Sequence, residues 1–129
     1  MAEQKLILIV DDEPAFREIF STKLVADGFR VETAENGQVG IEKAKALKPD
    51  LVLMDVKMPV MDGATALLKL RDDPETKNIK VAFLSSIGDP HREMEEMHIR
   101  ISAEFGAQGY LKKTDDLDHL SSEIKKLLA

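Results

Sequence analysis

The chain contains no cysteine. Disulfides, thiolate nucleophiles and cysteine-ligated zinc or iron–sulfur centres are therefore excluded. Nor is there an excess of positive charge: 18 Lys and Arg stand against 24 Asp and Glu, a net charge of -6 over 129 residues. Non-specific binding to nucleic acid needs clustered cations to displace counterions, so no direct nucleic-acid partner is expected. No apolar run approaches the length of a membrane span, and the one at residues 5–10 (KLILIV) is short for a signal sequence and ends in acids. The simplest expectation is a cytoplasmic protein without a membrane partner. What is present is 43% hydrophobic and 33% charged residues, the balance of a soluble globular chain, in a length that encloses one core. No linker, repeat or low-complexity segment divides residues 1–129, which are read as one domain.

The most informative stretch is residues 50–63, DLVLMDVKMPVMDG. Leu51, Val52, Leu53 and Met54 form a continuous apolar run, the pattern of a parallel strand buried on both faces. Asp55 closes it with a charge, which is costly there unless a partner gathers around it.

Strand and helix signals alternate along the rest of the chain. The strand at residues 5–10 stops at Asp11, Asp12 and Glu13. Pro14 fits a first helical position, with Asp12 or Glu13 near the N-cap. Phe16, Ile19, Phe20 and Leu24 recur at helical spacing as core residues until Asp27-Gly28 ends the helix. Residues 29–34 (FRVETA) alternate in polarity, as an edge-proximal strand does. After the Asn36-Gly37 turn, Val39, Ile41, Ala44 and Leu47 mark a second helix that Pro49 ends. Ala64, Leu67, Leu68 and Leu70 mark a third. Residues 79–84 (IKVAFL) read as a buried strand ending at Ser85-Ser86. Asp89-Pro90 then opens a fourth helix carrying Met94, Met97, Ile101 and Phe105, which Gly106 ends. Residues 108–112 (QGYLK) are a short fifth strand, and Leu117, Leu120, Ile124, Leu127 and Leu128 form a final amphipathic helix.

Strands each followed by a helix imply a doubly wound α/β fold, with helices on both faces of a parallel sheet. Ligands of such sheets bind beyond the carboxyl ends of the strands. That rule gathers Asp11, Asp12, Asp55, Ser85 and Lys113 into one candidate site. Clustered carboxylates repel unless a cation screens them, and oxygen-only ligands favour a hard divalent ion such as Mg²⁺. A lone ammonium at Lys113 and a hydroxyl at Ser85 suit the oxygens of a phosphoryl group, with Asp55 as the in-line nucleophile.

These five residues, with MDVKMPVMDG and the late GAQGYLKK, resemble the receiver domain of two-component response regulators over essentially the whole chain. The resemblance implies a flavodoxin-like fold of strand order 2-1-3-4-5. It implies that Asp55 accepts a phosphoryl group from a phosphohistidine, on a sensor histidine kinase or a histidine phosphotransfer protein. Asp12, Asp55 and the backbone carbonyl of Lys57 would then ligate Mg²⁺, with Asp11 acting through a water. Ser85 would read the phosphoryl group, Lys113 would pair with it, and Tyr110 would be the aromatic switch residue. A downstream protein partner is implied on the face of the fourth helix, fifth strand and fifth helix, and a homodimer is a further expectation. Such a domain is a regulator, not an enzyme, and assists only its own phosphorylation and dephosphorylation.

The resemblance departs in three places. Thr114 stands where the family usually has a cis proline; a non-proline cis bond costs about 2.5–4 kcal/mol, so a trans bond is expected, with Lys113 placed differently. The segment from Ser85 to Gly106 is longer than usual, which alters the expected partner face. No DNA-binding domain follows the last helix, which gives the expectation of a stand-alone receiver or a piece of a larger regulator. The alternative function is a receiver-like interaction module independent of phosphate. A phosphatase with Asp55 as nucleophile is disfavoured because Lys57 holds the place of the acid two residues on that haloacid-dehalogenase-like enzymes need. An FMN carrier is disfavoured by the acidic loop after the first strand. Met58, Met61, Met94 and Met97 are read as core or groove fillers, and His91, His98 and His119 as surface residues.

Overall fold

The runs that lack polar residues become the middle of a sheet. In the computed structural model, which describes residues 4–56, 58, 60–85, 106–113 and 115–129, the strands are β1 (Leu6–Val10), β2 (Arg30–Ala34), β3 (Leu51–Asp55), β4 (Lys80–Ser85) and β5 (Gly109–Lys112). The helices described are α1 (Pro14–Ala26), α2 (Gly37–Leu47), α3 (Gly63–Asp72) and a terminal helix, Leu117–Leu128. All strand pairs are parallel, in the order β2-β1-β3-β4-β5. This is the flavodoxin-like order expected from the resemblance. Every residue of β1 and β3 is buried, whereas β2 at the edge alternates and buries only Ala34 fully.

Side chains on a strand point alternately to the two faces, so each central strand feeds two cores. Leu8, Val10, Val52, Met54, Val81 and Phe83 pack with Ala44, Ala66, Leu67 and Leu70 under α2 and α3. Ile7, Ile9, Leu51, Leu53, Ala82 and Leu84 pack with Phe20, Leu24, Leu120 and Ile124 under α1 and the terminal helix. Local signals end the helices: Gly28 takes φ +99 after α1, and Asn36 and Asp62 cap α2 and α3 by accepting from Val39 N and Thr65 N.

Ile19, expected in the core, is instead 55% exposed, and of the residues that marked the second and third helices Leu47 is 41% and Leu68 44% exposed. Ile19 lies about 100° round the helix from the centre of the Phe16–Phe20–Leu24 stripe. Leu68 is likewise rotated away from Leu67 and Leu70, and Leu47 sits in the last turn, where Lys48 adopts a left-handed conformation. The expected fourth helix, with His91, Met94, Met97, His98, Ile101 and Phe105, lies outside the described residues. No helix among the described residues is long and apolar enough to cross a membrane.

Candidate functional site

Register brings the first two carboxylates together. Val10 pairs with Met54, so Asp11 and Asp55 emerge side by side at the carboxyl ends of β1 and β3. Asp11 is fully buried and Asp55 is 4% exposed. The turn out of β1 is fixed by Asp11 itself. Its N–H donates to Ala34 O at 3.0 Å, its Oδ1 accepts the Glu13 N–H at 2.9 Å, and its carbonyl accepts from Arg17 Nη1 at 2.6 Å. Asp12 is left exposed beside them.

The opposite wall comes from the other half of the sheet. Asp55 pairs with Leu84 and Ser85 with Lys112, and the Lys113 N–H donates to Ser85 O at 2.8 Å. Lys113 thereby reaches over the strand ends. Its Nζ lies 2.5 Å from Glu13 Oε1, 2.8 Å from Asp11 Oδ2 and 3.8 Å from Asp55 Oδ2. The Phe16 ring covers the ammonium at 4.6 Å from the ring centroid, a cation–π contact. Lys113 is thus paired with acids from two strand ends, and it reaches the site without the proline. Thr114 and its peptide bond lie outside the described residues, as does Lys57 with its carbonyl.

Burial and charge oppose each other here. Burial pushes the Asp11 carboxyl above 3.8, and its bonds to Lys113 and Glu13 only partly offset that. Burial works to lower Lys113, but the close contacts with the Asp11 and Glu13 carboxylates and the charge of Asp55 outweigh it and raise the ammonium above 10.5.

Asp11, Asp12, Glu13 and Asp55 each offer a carboxylate oxygen, and these oxygens lie within 4.8 Å of one another. Asp11 Oδ2 is fully buried and has no aligned hydrogen bond, although the Lys113 ammonium is 2.8 Å away. A buried anionic oxygen with coordination to spare, among oxygen-only neighbours, fits a hard divalent cation. Ser85 is half-buried at the end of β4, and Tyr110 is half-buried on β5, opposite Phe83 and against the core under α2 and α3. His119 is on the surface, as expected.

Sequence reasoning missed Glu13, Phe16 and Arg17 as neighbours of the site. Glu13 was legible only as a helix-start acid, yet the run Asp11-Asp12-Glu13 was the signal that a third carboxylate stood at the same turn.

Comparison with known proteins agrees with this fold. A family model described as response regulator receiver domain matches residues 7–125. The chemotaxis protein CheY of Treponema pallidum is 35% identical over 125 residues, which cover 95% of this chain and 81% of that protein. The DNA-binding dual master transcriptional regulator RpaA of Synechocystis sp. is 33% identical over 122 residues, 95% of this chain but 48% of that protein. The chain spans about half or a quarter of the length of relatives such as these longer regulators. Among solved structures, the Vibrio cholerae chemotaxis protein CheY4 superposes with a TM-score of 0.84 at 27% identity, covering 98% of this chain and 100% of that one.

Proposed function

This chain belongs to the response regulator receiver domain family of two-component signalling, and we propose that it is a phosphorylation-controlled switch with Asp55 as the phosphoacceptor. One observation carries the reading: Lys113 Nζ lies 2.8 Å from Asp11 and 3.8 Å from Asp55, so a buried nucleophilic carboxylate has beside it the cation that phosphoryl oxygens need.

The donor is a phosphohistidine on a sensor histidine kinase or a histidine phosphotransfer protein. An Asp55 oxygen attacks phosphorus in line, the P–N bond breaks, and the imidazole leaves with the bonding pair and takes up a proton. The product is an aspartyl phosphate. Lys113 stays protonated throughout, since its neighbours hold its pKa up, and it neutralises a phosphoryl oxygen. Ser85 binds another. Asp11, Asp12, Asp55 and the Lys57 carbonyl would hold Mg²⁺, which when bound supplies the positive charge that lets the acids and the phosphoryl oxygens share one site.

The output is conformational. Ser85 moves toward the phosphoryl group, the Tyr110 ring turns inward, and a protein partner reads the side of the domain that carries β5 and the terminal helix. The domain works in the cytoplasm as a regulator and catalyses only its own modification. Incubation with Mg²⁺ and a small phosphodonor, followed by intact-mass measurement, tests the proposal. The wild type is expected to gain one phosphoryl group and Asp55→Ala none; no gain, or equal gain, overturns it. The alternative of a phosphate-independent module draws no support from a Lys113 that reaches the acids.

A further inference from the structure

Lys113 is surrounded by more anions than phosphoryl transfer needs. Its nearest carboxylate is that of Glu13 at 2.5 Å, with Asp55 furthest at 3.8 Å. The two partners differ in surroundings: the Lys113 side chain is 6% exposed and that of Glu13 is 58% exposed. Glu13 is the N-cap of α1, yet its side chain makes no capping hydrogen bond. Its carboxylate instead reaches Lys113, 100 positions away in the chain. The backbone serves the helix, since the Glu13 N–H donates to Asp11 Oδ1 and its carbonyl accepts from the Arg17 N–H. The carboxylate is therefore separable from the fold.

We propose that Glu13 is an exchangeable counter-ion, a positioning residue that holds the Lys113 ammonium in the unphosphorylated state and yields it to the phosphoryl group on Asp55. The inference rests on the reading of Asp55 as phosphoacceptor. Asp11 and Asp55 are buried and cannot return to water, whereas an exposed glutamate loses little by doing so. A phosphoryl group on Asp55 brings more negative charge to Lys113 than the carboxylate alone and outcompetes Glu13. Phe16 covers the ammonium from another side and keeps it over the strand ends while the anion is exchanged. Glu13 thus weakens the hold on the phosphoryl group without touching phosphorus. The rival role, Glu13 as a metal ligand within the acid cluster, predicts the opposite effect of its removal.

The test is a calorimetric titration of beryllofluoride, a phosphoryl mimic, at saturating Mg²⁺. Glu13→Gln is expected to bind it about two- to five-fold more tightly than the wild type. A second measurement follows the Glu13 side-chain carboxyl carbon by NMR in the wild type, where the mimic is expected to move it to the shift of a solvated glutamate. Equal or weaker binding by Glu13→Gln, or a Glu13 signal that stays in place, overturns the proposal while leaving Asp55 as acceptor. Absence of binding by the wild type overturns the phosphoacceptor reading itself, and this inference with it.

Discussion

The Lys113 ammonium stands 2.8 Å from Asp11 Oδ2, with the two side chains 6% and 0% exposed, and this contact ties the end of β5 to the end of β1. Removing the cation leaves a buried carboxylate beside Asp55 without its counter-charge. Lys113→Met is therefore expected to lower the free energy of unfolding by about 1–3 kcal/mol, less than an isolated buried pair would lose because Asp11 can take up a proton. Urea denaturation at neutral pH measures it, and unchanged stability would contradict the reading of this contact.

Asp11 gives a pH dependence of definite sign. Its folded pKa lies above 3.8, chiefly through burial, so between 3.8 and that folded value the native state binds more protons than the unfolded chain. The stability penalty of the ionised group is full above the folded pKa and is relieved as pH falls through it. Asp11→Asn is expected to exceed the wild type in stability at neutral pH, with the difference closing on acidification. Denaturation midpoints of the two proteins across pH provide the check, and a difference that widens toward acid would refute it.

Gly63 is where the fold leaves no room for a side chain near the acceptor. A Cβ there would lie 2.6 Å from Asp55 O, 2.8 Å from Phe83 Cε1 and 3.1 Å from Val56 Cα. Two of these contacts are backbone, so Gly63→Ala is expected to cost about 1–3 kcal/mol by overpacking, despite the gain in helix propensity. Because the displaced atoms carry Asp55, the rate of labelling by a phosphodonor should fall too. Stability and labelling rate measured on the same sample test both parts.

Val60 offers a change in the other direction. It is 85% exposed and holds φ at +74, a conformation that a β-branched side chain adopts only under strain. Val60→Gly relieves that strain and loses no buried contact, though it also loosens the unfolded chain. The expected net gain is about 0.5–1 kcal/mol, read as a rise in the urea midpoint. A fall would contradict it.

Much of the fold was legible because particular runs allow one reading. LILIV and LVLM are apolar throughout, so they become strands covered on both sides, while FRVETA alternates and forms the edge. Strand order and the pairing of Val10 with Met54 then bring Asp11 beside Asp55, and a shared strand-end rule is enough to find them. Helix faces were read less well, since Ile19 and Leu68 satisfy a hydrophobic count but lie off the buried stripe. Glu13 was missed for a different reason. Its role depends on the reach of Lys113 from the far end of the chain, and no local pattern encodes a contact across 100 positions.

The central claim, that Asp55 receives the phosphoryl group, is tested most directly by finding which residue carries it. The chain is incubated with Mg²⁺ and a small phosphodonor, digested promptly, and its peptides are sequenced by mass spectrometry. The account predicts a single modified residue, Asp55, with labelling lost in Asp55→Ala and slowed in Lys113→Met. A phosphoryl group on a histidine or on another acid, with Asp55 unmodified, would contradict it.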